Sequence, residues 1–163
     1  RFVVFNTAAF ISSDIPFRIS LCRLPGVGKV AVRAFNAFAG AATFMTTVDK
    51  LPKKVKDGFI FPYDNWKNRI ATHEFVRDIP LEMTHPSRDC LQAIDDGLGA
   101  LTDIPMIICW GKHDWCFNMD FLKTWKERFP KAPVHELEAG HYLIEDKGAE
   151  IISLVDSFLQ KNK

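Results

Sequence analysis

Apolar positions recur along this chain in two rhythms. At the start, Phe2-Val3-Val4-Phe5 is a β-branched and aromatic run that ends at Asn6-Thr7, and it predicts a buried strand over residues 1–5. Residues 14–83 then read as helices separated by breakers. Pro16 opens one through about Leu24, Pro25-Gly26 stops it, and an Ala- and Phe-rich stretch predicts one long helix from Val27 to about Met45. Pro52 opens a shorter helix that Gly58 closes. Asp64 is a candidate N-cap for a helix to about Val76, and Ser87 for one from Arg88 to Leu101.

The last third changes rhythm. A strand is predicted over 105–110. Asn118 caps a helix through Phe129, with Phe121 and Trp125 four apart on one face. A second strand follows over 133–137. A closing helix spans 146–159, with Ile151, Ile152, Val155 and Leu159 on one side. Strand–helix–strand–helix is the pattern of a parallel sheet, which the first strand would join. The fold class is therefore α/β. Its organisation is a core strand and loop over 1–13, a helical insertion over 14–83, and a core over 84–163.

Composition narrows the partners. Twenty-one Lys and Arg against 20 Asp and Glu leave a formal charge of +1, without the basic footprint that nucleic acid or an anionic membrane requires. No apolar run approaches a bilayer span, and no secretory leader opens the chain, so a cytoplasmic protein without a transmembrane segment is expected. Four cysteines, Cys22, Cys90, Cys109 and Cys116, lack metal-ligand spacing and are expected to be reduced, with Cys109 in the core. No metal or cofactor is predicted. Eight of the 14 Phe lie between Phe10 and Phe75, which suits a packed helical core or an apolar ligand pocket.

Active groups in open α/β sheets sit just past the carboxyl ends of strands. Two residues hold such positions: Asp114 in Trp110-Gly111-Lys112-His113-Asp114, and His141 in Glu138-Ala139-Gly140-His141. If their strands are neighbours, the carboxylate can fix the imidazole tautomer and the imidazole can act as a base. Acid then His, one strand–helix unit apart, is the order of the last two members of an α/β-hydrolase triad. His73, His85 and His113 read as solvated or rim residues, and Lys53, Lys54 and Lys56 as an exposed face. Gly26-Val27-Gly28-Lys29-Val30-Ala31 fits G-x-G-x-x-A, but no βαβ return follows it, so a dinucleotide site is rejected.

Several motifs together resemble the later part of an α/β-hydrolase of the haloalkane dehalogenase and epoxide hydrolase branch. They are Phe5-Asn6-Thr7, Phe75-Val76-Arg77-Asp78-Ile79-Pro80, Trp110 to Asp114, and Gly140 to Asp146. Asn6 to Phe10, Pro62 to Trp66, and Trp110 to Phe117 are similar, more narrowly, to the β-lactone decarboxylases of bacterial long-chain olefin biosynthesis. The resemblance implies a cap over 14–83, Asp114 as acid, His141 as base, and an Asp nucleophile. It implies substrate-contacting positions at Asn6, Trp66, Trp115 and Phe117, a hydrophobic small-molecule substrate, and assembly with other olefin-biosynthesis enzymes. Some relatives place the acid where this chain has Asn6, so Asp114 is the better acid.

The pattern departs from the family in one large respect. No serine sits in G-x-S-x-G and no Asp sits on a strand–turn–helix elbow. The expectation is a chain that is the later half of a larger enzyme, with its nucleophile preceding Arg1. Haloalkane dehalogenation or epoxide hydrolysis is the alternative chemistry, with Trp66 or Trp115 as halide donor. A non-catalytic binding module is the alternative class.

Overall fold

The computed structural model describes residues 1–163. They form two compact units, one of residues 1–10, 46–49 and 93–163, the other of residues 11–45 and 50–92.

The first unit is built on a parallel sheet of three strands, β1 (Phe2–Phe5), β2 (Met106–Gly111) and β3 (Val134–Leu137), in the order β1-β2-β3. Val4 pairs with Ile108, and Ile108 with Val134. The central strand is buried along its whole length, which is why its sequence is a continuous apolar run rather than an alternating one. The two-residue period of a strand still sorts its side chains. Met106, Ile108 and Trp110 pack with Val4, Phe10, Leu122 and Trp125 on one face. Ile107 and Cys109 pack with Leu137, Ala139, Ile151 and Phe158 on the other.

Each face is closed by one helix. The first is α7 (Met119–Arg128), where the Asn118 side chain accepts from the Asp120 N–H at 2.9 Å, the cap its sequence predicts. Asp120 in the first turn and Arg128 in the last suit the helix dipole. The other face belongs to α8 (Leu143–Lys161), which begins before Asp146 and is kinked at Lys147. Its inward residues are Ile151 and Phe158, with Leu154 and Val155 beside them; Ile152 faces solvent at 70% exposure, against expectation. The inward stripe runs 151, 154, 155 and 158, at helical spacing, and Ile152 lies about 100° around the helix from Ile151, off that stripe.

The second unit is helical: α1 (Phe17–Arg23), α2 (Val27–Phe35), α3 (Ala37–Met45), α4 (Lys53–Ile60), α5 (Ile70–Arg77) and the start of α6 (Arg88–Gly97). The long helix expected from Val27 is two helices, because Asn36 takes a left-handed conformation (φ 52°) and caps α2. Gly58 lies inside α4 and does not close it. Asp64 is not the N-cap of the following helix. Its carboxylate accepts from the Asn65 and Asn68 side chains while Asn65 Oδ1 accepts from the Lys67 and Asn68 N–H groups, and these bonds close a polar turn that delays α5 to Ile70.

Arg69 then donates to the carbonyls of Arg33 and Ala34 at the end of α2, groups that lack helical partners. His73, expected to be solvated, is buried beside Glu74. The rejected G-x-G segment is indeed no strand–turn–helix: residues 17–23 are helical, and Gly28 is small because a Cβ there would overlap the Cys22 backbone. The Phe-rich composition does not build a helical core, since Phe17, Phe35, Phe44, Phe61 and Phe75 are all exposed. The buried apolar positions of this unit are instead Ile19, Val32, Leu51 and Val76. No helix of the structure is long and apolar enough to cross a membrane.

Candidate active site

The three strands end on one edge of the sheet, and the three loops that leave them converge there. The loop after β2 carries Asp114, that after β3 carries His141, and Asn6 follows β1 directly. Asp114 Oδ2 meets His141 Nδ1 at 2.9 Å. The Asp114 side chain is wholly buried, whereas the His141 side chain keeps 27% of its exposure. Asp114 Oδ1 accepts from the backbone N–H groups of Cys116 (2.7 Å) and Phe117 (3.0 Å), so both carboxylate oxygens are engaged and the group has one orientation. With Nδ1 turned to the acid, Nε2 is the ring nitrogen available as base.

The remaining parts of the site hold this pair. Phe117 packs beside the imidazole, ring centroids 5.7 Å apart, and against Phe121 edge-on at 5.2 Å. Its carbonyl accepts from the buried Trp110 indole at 3.0 Å, which ties the acid turn to the strand beneath it. Asp146 does not start α8. Its carboxylate accepts from the N–H groups of Gly140 (2.8 Å), Val48 and Asp49, and Tyr142 N–H donates to the Thr46 carbonyl, so the His141 loop is clasped to residues 46–49. Outside the pair, Glu138 receives Lys112 and His113, whose hydrogen bonds, Lys112's first, hold its carboxyl below the ordinary range. These groups are exposed, and such pairs contribute little to stability.

Two of the expected substrate contacts differ in placement from the acid and base. Asn6 is 6% exposed, and its amide faces the protein's own backbone rather than an open pocket. Trp66 belongs to the second unit, where the Arg33 guanidinium lies 4.4 Å from its ring centroid. Trp115 is half-buried, between the acid and Cys116 in the chain. Cys116 is no substitute nucleophile: burial first, then the Asp114 charge, pushes its thiol up to about 12, so it stays protonated near neutral pH. Sequence reasoning missed the clasp through Asp146 and residues 46–49, because nothing local to either segment marks a contact across nearly 100 residues.

Gly140 is part of that clasp. A Cβ there would overlap the Thr46 carbonyl and the Thr47 backbone. Gly140→Ala is therefore expected to lower stability by about 1–3 kcal/mol through displacement of the loop. Urea denaturation of the variant and the parent chain measures this, and an unchanged midpoint would show that the loop is free to move.

No family model matches the chain. Curated proteins do. It is 34% identical over all of its length to the cis-3-alkyl-4-alkyloxetan-2-one decarboxylase of Shewanella oneidensis, and 35% identical over 99% of its length to that of Xanthomonas campestris pv. campestris. It spans about half the length of these relatives, 53% and 55%. Among solved structures, a haloalkane dehalogenase from Agrobacterium tumefaciens superposes with a TM-score of 0.79 at 18% identity, covering 99% of this chain and 58% of that one. Another from Bradyrhizobium elkani gives 0.75 at 21% identity, covering 88% and 51%.

Proposed function

We propose, on the premise that this chain belongs to the α/β-hydrolases, that it supplies the acid and base of a β-lactone decarboxylase. The observation that carries the reading is the match to two such decarboxylases along essentially the whole chain, with Asp114 and His141 paired where the sheet loops converge. An oxetan-2-one is a four-membered lactone whose ring strain makes it open readily to a carboxylate nucleophile. That nucleophile comes from residues outside these 163, since no elbow of the required kind occurs among them. Attack at the ring carbon that bears the lactone oxygen breaks that C–O bond and frees the substrate carboxylate. Loss of CO2 then breaks the C–C bond, whose electron pair forms the alkene as the enzyme carboxylate leaves. His141, oriented by Asp114, can lend a proton to the departing oxygen and take it back, so none is consumed. The products are a cis-alkene and CO2.

We assign the role of cap to the helical unit on the resemblance alone, and its five exposed phenylalanines offer apolar surface suited to long alkyl chains. Placement among other olefin-forming enzymes in the cytoplasm follows from the same reading. The test is turnover by the complete protein. Incubated with a cis-β-lactone bearing long alkyl chains, it is expected to release alkene and CO2 in equal amounts, and to release no halide from haloalkanes. Halide release without alkene would replace the reading with dehalogenation.

A further inference from the structure

The structure assigns to Asn6 the positioning of the Asp114–His141 pair: one side chain sets the relation between the turn that carries the acid and the loop that carries the imidazole. This rests on reading the pair as acid and base, and not on the identity of the substrate.

Asn6 is buried, and each end of its amide is committed. Oδ1 accepts from the Gly111 N–H at 2.8 Å. Nδ2 donates to two successive carbonyls, Gly140 at 2.9 Å and His141 at 3.1 Å. Gly111 in turn accepts from the Asp114 N–H at 3.1 Å, closing the acid turn. A short chain of hydrogen bonds therefore runs from the backbone of Asp114 through Gly111 and Asn6 to the backbone of His141. The space around it is closed, because a Cβ on Gly111 would overlap the carbonyls of Ala139 and Gly140.

Few residues can occupy this position. It needs one acceptor and two donors on a short stem, and a backbone at φ 34°. Asparagine carries that donor set and is one of the residues that adopt the left-handed region. Aspartate would keep the acceptor and lose both donors, placing a carboxylate against two carbonyls. Glycine would keep the backbone and lose the whole clamp.

Those two variants make the test in the complete protein. Long-range 15N–1H spectra report the His141 tautomer, with His113 and His135 as controls. The parent should hold the Nδ1 proton facing Asp114. Asn6→Gly should give mixed tautomers and exchange of that proton at least about tenfold faster, the scale of one lost buried hydrogen bond. Asn6→Asp should loosen His141 in the same way while the Gly111 amide remains protected from exchange, since its acceptor survives. A purely structural strut would lower the unfolding midpoint and leave the His141 tautomer alone. A folded Asn6→Gly or Asn6→Asp chain with parent-like His141 spectra overturns the assignment, and if Asn6→Gly fails to fold, Asn6→Asp decides it. No turnover is needed, so failure of the decarboxylase reading is seen separately in the alkene assay.

Discussion

Asp114→Asn in the complete protein is expected to cut kcat by about 10⁴-fold while leaving the fold intact. The Asn side chain can still accept from the Cys116 and Phe117 N–H groups with its Oδ1, so the turn keeps its shape. Its Nδ2 then faces His141 Nδ1, at the 2.9 Å position where a carboxylate oxygen now lies. Two donors cannot share that contact. The neutral imidazole must shift its proton to Nε2, and the nitrogen meant to act as base is blocked. His141→Ala removes the base outright and is expected to cost about 10²–10⁴-fold. Single-turnover kinetics on a β-lactone, with circular dichroism as the folding control, measures both. Near-parent turnover in either folded variant would remove that residue from the mechanism.

Trp110→Ala is expected to destabilise the 163-residue chain by about 3–5 kcal/mol, the range for large-to-small changes of buried aromatics. Trp110 has no exposed surface, sits on the central strand, and donates its indole N–H to the Phe117 carbonyl. Truncation opens a cavity beneath the acid turn and leaves that carbonyl without its donor. Trp110→Phe retains most of the apolar area and is expected to cost about 1–3 kcal/mol, much of it from the lost hydrogen bond. Phe61→Ala is the control: at 81% exposure it should stay within about 0.5 kcal/mol of the parent. Urea denaturation followed by far-UV circular dichroism ranks the three. Equal losses for Trp110→Ala and Phe61→Ala would mean that the central strand does not anchor the core.

The places of Asp114 and His141, which we propose as acid and base, were legible because each residue marks itself locally. Gly111-Lys112-His113-Asp114 follows an apolar run and Gly140-His141 a short segment, Pro133 to Leu137, both too short for helices, and the position just past a strand is where this architecture collects chemistry. The helical unit was less legible. The polar turn over 64–69 is decided by side chains bonding nearby backbone and side-chain groups, and the break at Asn36 by a left-handed backbone whose side chain donates to the Tyr63 carbonyl 27 residues on; propensity and spacing resolve neither. The phenylalanines misled for a related reason. Hydrophobicity says that a residue gains from leaving water, but not which neighbour will cover it.

By itself, the sequence determined the strand and helix types of the last third, the membership of Asp114 and His141 in one edge of a sheet, and the resemblance that its relatives bear out. Those are properties of short segments: a strand's period, a cap, a turn after a strand. Only the tertiary structure decided what fixes the pair in place. Asn6 reaches Gly111 and Gly140 across 105 and 134 residues, and Asp146 reaches Val48 across 98. A side chain that can satisfy several backbone groups does so with whichever the folded chain brings within about 3 Å, and no local pattern in the sequence encodes that proximity.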